Sequence, residues 1–284
     1  MTFRATATMP SVPARSDVLV SPQWLEEHFG DPSLRLIEVD VSPAPYETGH
    51  IEGAVLWNVY QDFKDTEYRP ADKATIEHLV RRSGIDEDST IVLYGLAPAM
   101  GFWLMKLYRH TDVRILDAAR DTWRREGRPW TTTVPSQVVT AYALPDEDHS
   151  IRAECFDVER SIGHPSHTLL DVRSDLEYRG ERFWPSGGEQ VGGRAGHVPC
   201  AVNLSIETVL DERGSYRSPA EIQRVFASID LPDDQEVTCY CTIGGRASTA
   251  WFALHYLLGR QHVRVYDGSW AEWGLMTSTP VESG

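Results

Sequence analysis

The chain carries four short motifs that each occur twice, and the second set follows the first in the same order. The distance between the copies is nearly constant, except for one pair that is shifted by an extra segment, rich in Gly, Arg and Pro, after Tyr178. Unrelated motifs would not keep a common order and spacing, so the repeat predicts a duplicated domain. The matching pairs are Leu36–Asp40 with Leu169–Arg173, Gly49–Val55 with Gly196–Val202, Ile91–Gly95 with Val237–Cys241, and Val113–Trp123 with Val263–Trp273.

Within each copy, short apolar strands alternate with amphipathic helices. This alternation predicts an α/β fold of two tandem domains, each a parallel sheet flanked by helices. Ligands of such sheets bind beyond the carboxyl ends of the strands, and Cys241 lies at one such end. In the second copy we predict strands near Thr168–Val172, Val202–Leu204, Val237–Tyr240 and Val263–Tyr266, and helices near Pro219–Ile229 and Arg246–Leu258.

The domain limits follow from a stretch in which this periodicity is lost. Pro129, three threonines, Pro135 and an acidic run interrupt the pattern between the two copies. We therefore predict a first domain over residues 17–130, a linker over residues 131–153 and a second domain over residues 154–284.

The composition excludes several classes of partner. A net charge of −15 and a pI near 5.1 argue against binding to nucleic acid or to an anionic membrane. No apolar run approaches the roughly 20 residues of a membrane span, and residues 1–17 lack the apolar core of a secretory signal. The 4 cysteines are too few for a disulfide scaffold, so we predict reduced thiols in the cytoplasm. An anionic substrate would need a local basic patch.

Cys241 stands between the end of a predicted strand and the start of a predicted helix. The first N–H groups of a helix have no partner inside it, and together with the helix dipole they favour an anion. We therefore expect Cys241 to become a thiolate more readily than an isolated cysteine. Gly244 and Gly245 allow the loop to turn its N–H groups towards the sulfur, where they would stabilise a thiolate and equally a persulfide.

The length of this loop narrows its chemistry. Its spacing is Cys-x4-Arg, one residue shorter than the Cys-x5-Arg loop of cysteine phosphatases, and the shorter loop favours a sulfur atom over a phosphoryl group. In the first copy the matching position is Gly95, and no arginine follows it at the matching place. We therefore predict one active domain and one supporting domain that closes the site. Leu96–Trp103 of the first copy could form a wall facing Cys241, although an ordinary helix start is the simpler interpretation.

Taken together, the motifs LLDVR, GHVPCAV, YCTIGGRAS and YDGSWAEWG resemble the rhodanese family, and more narrowly its tandem-domain thiosulfate and 3-mercaptopyruvate sulfurtransferases. The resemblance covers roughly residues 17–276. It implies that Cys241 is the catalytic nucleophile and that no metal or organic cofactor is needed. It also implies a double displacement, in which Cys241 takes sulfur from a small anionic donor and passes it to cyanide, a thiol or a protein.

The resemblance also suggests roles for other residues. Thr242 and Ile243 would offer N–H groups, and Gly244 and Gly245 would only allow the backbone angles that the loop needs. Arg246 could cap the loop, bind the donor anion, or do both. A loop that ends in Arg246 favours thiosulfate over 3-mercaptopyruvate as the donor. In some relatives an arginine follows the DVR motif and contacts the donor, but Glu177 takes that place here. Basic residues of the extra segment could substitute for it, namely Arg179, Arg182 and Arg194.

Four further residues are candidates for the edge of the pocket. Asp171 and Arg173 look like strand-end residues that tie loops together, and Ser269 and Trp270 would flank the pocket. For Cys239 we favour the simpler interpretation of a core thiol. Two other functions stay open at this point: a persulfide carrier that serves a partner enzyme, and a cysteine phosphatase, which the loop length disfavours.

Overall fold

The computed structural model describes residues 15–229, 231–232 and 235–284. The amino-terminal segment that we judged unlike a secretory signal lies largely outside this part of the chain. The described strands are β1 (Leu19–Val20), β2 (Leu34–Asp40), β3 (His50–Ile51), β4 (Val55–Asn58), β5 (Thr90–Gly95), β6 (Val113–Leu116), β7 (Trp130–Thr131), β8 (Arg152–Ala153), β9 (His167–Asp171), β10 (Val202–Asn203), β11 (Glu236–Tyr240) and β12 (Val263–Tyr266).

Helices connect the strands and cover the sheets. Side-chain caps define several of their starts; for example, Ser218 and Glu221 form a capping box around Pro219. The described helices are α1 (Arg15–Val18), α2 (Pro22–Glu27), α3 (Ala44–Thr48), α4 (Val59–Asp62), α5 (Lys73–Arg82), α6 (Pro98–Leu107), α7 (Arg120–Arg125), α8 (Cys155–Ser161), α9 (Asp175–Tyr178), α10 (Pro219–Ala227), α11 (Gly245–Phe252) and α12 (Ser269–Trp273). A 3₁₀ segment covers Ile206–Val209, and a π-helical segment, Ala253–Leu257, extends α11.

The two copies form two five-stranded sheets with the same topology. The first has the order β1-β6-β5-β2-β4, and the second has the equivalent order β8-β12-β11-β9-β10. All neighbouring strands within these two sheets run parallel, whereas β3 and β7 form a separate antiparallel pair. The prediction of an α/β fold with two tandem domains, each built on a parallel sheet flanked by helices, is therefore confirmed.

One part of the predicted linker belongs to the second sheet. Arg152–Ala153 form the edge strand β8, which pairs with β12, although we placed residues 131–153 in the linker. A strand of two residues is too short to show the alternation by which strands are recognised in a sequence. The other predicted domain limits stay a prediction.

One hydrophobic cluster contains buried residues of both copies, and each copy also has a smaller cluster of its own. Phe102 on α6 of the first copy packs edge-to-face on Phe252 and Tyr256 of the second, with ring centroids 4.9 and 5.0 Å apart. Helices α6 and α11 follow equivalent strands, so their contact brings the carboxyl ends of β5 and β11 together. Because of this packing, the first copy reaches the loop that carries Cys241. None of the described helices is both long enough and apolar enough to span a bilayer.

Candidate active site

Cys241 directly follows the central strand β11 of the second sheet. In that sheet Tyr240 pairs with Asp171, and in the first sheet Tyr94 pairs with Glu38 at the equivalent register. The next residue is Cys241 in one copy and Gly95 in the other, as the sequence alignment of the copies predicts. The structure therefore puts the cysteine at the carboxyl edge of the sheet, where parallel sheets hold their ligands.

A backbone N–H group of the loop points at the sulfur of this cysteine. Gly244 N donates a hydrogen bond to Cys241 Sγ over 3.1 Å, and Gly244 itself has a left-handed φ of +102°. A side chain at position 244 would strain the loop, so glycine allows this turn. Cys241 is 1% exposed, which strengthens the interaction between the donor and a negatively charged sulfur because little water competes with it.

Helix α12 anchors the loop from below. Ser269 Oγ accepts a hydrogen bond from Cys241 N and donates one to the carbonyl of Tyr266. The backbone N–H groups of Trp270 and Ala271 donate to the carbonyls of Cys241 and Thr242, over 2.9 and 2.8 Å. These bonds hold the backbone around the sulfur in place before any substrate binds. Ser269, a predicted pocket residue, therefore contacts the backbone of Cys241 directly.

Asp171, Arg173 and Trp270 form a buried support beside the loop. Arg173 Nη2 donates to Asp171 Oδ2 over 2.6 Å, and the guanidinium carbon lies 4.5 Å from the ring centre of Trp270. All three side chains are fully buried. A buried pair of this kind is more constrained than a surface ion pair, because each partner would be left without a counter-charge if the other moved. Of the three, Trp270 bonds the loop through its backbone N–H, and none of the three side chains reaches solvent.

Arg246 is held by a carboxylate of the second copy. Arg246 Nη1 and Nη2 form a bidentate pair with Glu177 over 2.9 and 2.7 Å, and Nη2 also donates to Thr242 Oγ1. Thr242 in turn donates to Glu177 over 2.8 Å. Burial raises the pKa of the Glu177 carboxyl, but the Arg246 guanidinium and hydrogen bonds from Ser174 and Thr242 outweigh it and lower that pKa to about 2. Glu177 is therefore a carboxylate that offsets the charge of Arg246.

The first copy contributes several groups around the loop. A Cβ atom placed on Gly244 would lie 3.3 Å from the methyl group of Met100, and one placed on Gly245 would lie 3.5 Å from Cβ of Ala97. Burial raises the pKa of Tyr60, and a negative charge on Cys241 acts in the same direction. Lys64 Nζ donates to the carbonyl of Asp267, which follows β12. The wall that we considered for Leu96–Trp103 thus borders the loop through Ala97 and Met100.

The equivalent loop of the first copy has no room for a nucleophile. Gly95 has a φ of +111°, and a Cβ atom there would lie 2.6 Å from the carbonyl oxygen of Val39. The N–H groups of Leu96 and Ala97 both donate to that carbonyl. A cysteine at position 95 would therefore need the backbone to rearrange. This loop has no sulfur, and the N–H groups of Leu96 and Ala97 are already bonded to a backbone carbonyl.

The three arginines of the extra segment make other contacts. Arg179 pairs with Asp175 over 3.0 Å at the surface, and Arg182 contacts the carbonyl of Pro185. Arg194 donates to carbonyls of the carboxyl-terminal segment, among them those of Trp273 and Thr279. Within the described residues, none of these arginines forms a hydrogen bond with the 241–246 loop. Their role in donor binding stays a prediction that no contact supports.

Ile243 and Gly245 complete the predicted loop. Ile243 is 9% exposed and packs into the hydrophobic cluster that contains residues of both copies, so its side chain anchors the loop. Sequence analysis missed Lys64 and Tyr60 as neighbours of the site and treated Glu177 only as a departure from the family pattern. The capping box of Ser174 and Glu177 is a readable helix-start signal, but no local pattern links Glu177 to an arginine 69 residues later.

The sequence matches the family model for the rhodanese-like domain twice, over residues 21–126 and 157–275. The chain belongs to the rhodanese family. Two relatives show that this kinship extends over both copies. The sulfur carrier protein TtuD of Thermus thermophilus is 39% identical over 95% of this chain and 98% of its own length. A provisionally named thiosulfate sulfurtransferase of Haloferax volcanii is 39% identical over 94% of this chain and 97% of its own.

Solved structures of other proteins share this tandem rhodanese fold. The Tum1 protein of Saccharomyces cerevisiae superposes with a TM-score of 0.77 over 92% of this chain and 96% of its own, at 19% identity. EanB in complex with ergothioneine gives a TM-score of 0.85 over 95% of this chain and 71% of its own, at 20% identity. At these identities the likeness concerns the fold of the two rhodanese domains.

Proposed function

We propose that this rhodanese is a sulfurtransferase that takes the outer sulfur of thiosulfate onto Cys241 and passes it to a thiophilic acceptor. The observation that carries the proposal is the hydrogen bond from Gly244 N to Cys241 Sγ, at the end of a parallel strand and within a loop that ends in Arg246. A backbone donor fixed on a buried sulfur stabilises negative charge there without reorganising during the reaction.

In the first step, the Cys241 thiolate attacks the outer sulfur of thiosulfate. A new S–S bond forms, the S–S bond of the donor breaks, and its electron pair leaves with sulfite. The product is a Cys241 persulfide whose outer sulfur carries the negative charge. No external oxidant or reductant is needed, because the oxidation state of the transferred sulfur is carried over.

In the second step, the acceptor attacks the outer sulfur of the persulfide. With cyanide, a C–S bond forms, the S–S bond breaks, and the electron pair returns to Cys241 as a thiolate while thiocyanate leaves. A thiol acceptor would first lose its proton and then form a persulfide in the same way. The Gly244 donor faces the cysteine sulfur that is negatively charged at the start and the end of the cycle.

The choice of donor is tested by comparing thiosulfate with 3-mercaptopyruvate in the same cyanide assay. Thiosulfate is favoured because the loop ends in Arg246, the sequence feature on which the choice of donor was predicted, and because the Haloferax volcanii relative is named for thiosulfate. We expect kcat/KM for thiosulfate to be higher by at least about tenfold. A higher value for 3-mercaptopyruvate, measured by pyruvate release, would reverse the assignment of the donor. Hydrolysis of an aryl phosphate at Cys241 would point instead to the phosphatase chemistry that the loop length disfavours.

A persulfide carrier is the second candidate, and the name of the Thermus thermophilus relative favours it. A carrier would accept sulfur from a partner protein and deliver it to a biosynthetic enzyme. Loading of Cys241 by a partner cysteine desulfurase, with no loading by thiosulfate alone, would favour the carrier. Multiple turnovers with thiosulfate and cyanide alone would favour the enzyme.

Gly244→Ala is expected to lower both stability and sulfur transfer. The added Cβ would be 3.0 Å from the carbonyl oxygen of Asp267, and the left-handed φ would cost about 1–2 kcal/mol for alanine. The loop would shift and move its N–H away from the sulfur, so we expect thiocyanate formation to fall by at least about tenfold. Gly163→Ala is the matched control, because Gly163 also has a positive φ (+69°) but no neighbour within 4 Å of the added atom. Equal losses of activity in both variants would argue against a specific role for the loop.

A further inference from the structure

Lys64 reaches from the first copy into the site of the second. It follows α4, and its Nζ donates a hydrogen bond over 2.6 Å to the carbonyl of Asp267, which is 203 residues away in the chain. The side chain is almost entirely buried, with 5% of Lys64 exposed. The chain has three lysines, all in the first copy, and Lys64 is the most buried of them.

Lys64 has no carboxylate as an immediate partner. The Asp267 carboxylate is paired with Arg152, over 3.1 and 3.3 Å, so it leaves only its backbone carbonyl to Lys64. Among the described residues, no carboxylate oxygen lies within the 4.0 Å of an ion pair from Lys64 Nζ. A buried ammonium without a counter-ion is costly, and burial lowers the pKa of Lys64. A negative charge close to Lys64, such as an ionised sulfur, would offset this cost.

The carbonyl that binds Lys64 lies against the loop of Cys241. A Cβ atom on Gly244 would be 3.0 Å from that carbonyl oxygen, and Gly244 N is the group that donates to Cys241 Sγ. Burial lowers the pKa of Lys64, and negative charges on Asp267 and then on Cys241 act in the opposite direction. The chain of contacts from the cation to the sulfur is therefore short: Lys64, the Asp267 carbonyl, Gly244 and Cys241.

Other charged groups also lie near Lys64 and near the sulfur of Cys241. Asp267, Glu272 and Arg152 surround Lys64, and the charges of Asp267 and Glu272 favour its protonated form whereas that of Arg152 opposes it. Around the sulfur, Arg246 is the second cation, but Glu177 neutralises it. Tyr60 is also close enough to sense a charge on Cys241. Within the described part of the chain, Lys64 is thus a cation near the sulfur that forms no ion pair with a carboxylate.

We propose that Lys64 of the first copy is the counter-cation of the anionic sulfur on Cys241, as a thiolate and then as a persulfide, so that the inert copy supplies part of the active site. The persulfide half of this role rests on the function proposed above, whereas the thiolate half does not. Lys64 is a positioning residue: it acts through its charge and through the Asp267 carbonyl, and it does not contact the sulfur. Sulfur transfer would then require the two copies to be docked.

The test is the pH dependence of alkylation of Cys241 by iodoacetamide, followed by peptide mass spectrometry so that the other cysteines do not interfere. In Lys64→Met we expect the midpoint pH of alkylation to rise by about one unit, because a nearby positive charge favours the thiolate over the thiol. Alkylation below the midpoint would be about tenfold slower. Lys64→Gln keeps a donor for the Asp267 carbonyl but has no charge, and we expect the same shift. Lys64→Arg keeps the charge, and its midpoint should stay within a few tenths of the wild-type value.

Lys106→Met is the matched control. Lys106 is also in the first copy and half-buried, and it donates only to the backbone carbonyls of His110 and Thr111. Its removal should leave the midpoint at Cys241 unchanged. An unchanged midpoint in Lys64→Gln, or an equal shift in Lys106→Met, would overturn the role of the Lys64 charge. Because alkylation uses no sulfur donor, a shifted midpoint in a protein that does not turn over thiosulfate would refute the proposed function and leave the thiolate role intact.

Discussion

Cys241→Ser is expected to abolish sulfur transfer from thiosulfate to cyanide, with a fall on the order of 10⁴-fold or more in kcat. A serine hydroxyl is not ionised at neutral pH and cannot form the S–S bond on which both steps depend. The variant should fold normally, because the oxygen is smaller than the sulfur and can still accept the hydrogen bond from Gly244 N. Thiocyanate formation measures turnover, and intact mass after thiosulfate treatment should show an added mass of about 32 Da, one sulfur atom, only in the wild type.

Two other cysteines provide the controls for this experiment. Cys239 lies two residues earlier on β11 and is fully buried, and burial raises the pKa of its thiol far above the ordinary value. Cys200 is exposed on the surface of the second copy. Cys239→Ala and Cys200→Ser should both keep the sulfur adduct and the turnover. An adduct that persists in Cys241→Ser and disappears in Cys200→Ser would place the reactive sulfur on the surface and contradict the site described above.

The fold could be predicted because the duplication leaves a regular trace in the sequence. Each matched motif marks a strand or a strand end at the same position of both sheets. The sequence alone could therefore identify β9 as the equivalent of β2, and β11 as the equivalent of β5. The edge strand β8 could not be predicted, because it has two residues and no periodicity. Its place in the sheet depends on its pairing with β12, which is a tertiary contact.

The site was predictable where it is local and unpredictable where it joins the copies. Cys241, the glycines and Arg246 belong to one loop whose spacing can be read directly. Met100 lies in the segment Leu96–Trp103 that we considered as a wall, and it borders the loop where α6 packs on α11. Nothing in the sequence around Lys64 indicates its approach to this loop. The duplication itself explains why the two copies meet here. Because the equivalent helices α6 and α11 pack together, the carboxyl ends of the central strands β5 and β11 face each other.

Glu177 shows how a departure from a family pattern can be informative. Where some relatives place an arginine, this chain has a carboxylate that binds Arg246, so the loop is held by an internal pair. The net charge of that pair is zero. Among the described residues, no carboxylate oxygen lies within 4.0 Å of Lys64 Nζ, so in the role proposed above Lys64 would supply positive charge near Cys241 in a chain with a net charge of −15.

Arg246→Met is expected to lower the free energy of unfolding by about 3–5 kcal/mol at pH 7, because it leaves the buried Glu177 carboxylate without its guanidinium partner. In the wild type the pKa of Glu177 in the folded protein is about 2, below the ordinary value of 4.5. The pair therefore stabilises the fold fully above pH 4.5, and this stabilisation is lost as the pH falls from about 4.5 towards 2. In the variant, the Arg246 guanidinium no longer opposes the effect of burial on the Glu177 carboxyl. We therefore expect burial to raise the pKa of Glu177 above its ordinary value of 4.5.

This rise in the pKa of Glu177 predicts how the free energy of unfolding of the variant depends on pH. With a raised pKa, the folded variant binds a proton more readily than the unfolded chain, so acidification relieves part of its defect. Urea unfolding of both proteins at pH 7.5 and at pH 5 should therefore show a difference that shrinks at the lower pH. Arg179→Met is the control, since its pair with Asp175 is exposed and should contribute less than about 1 kcal/mol. Adding Glu177→Gln to Arg246→Met should restore part of the stability and remove the pH dependence. A defect that is the same at both pH values would show that Arg246 acts through packing and not through the charge of Glu177.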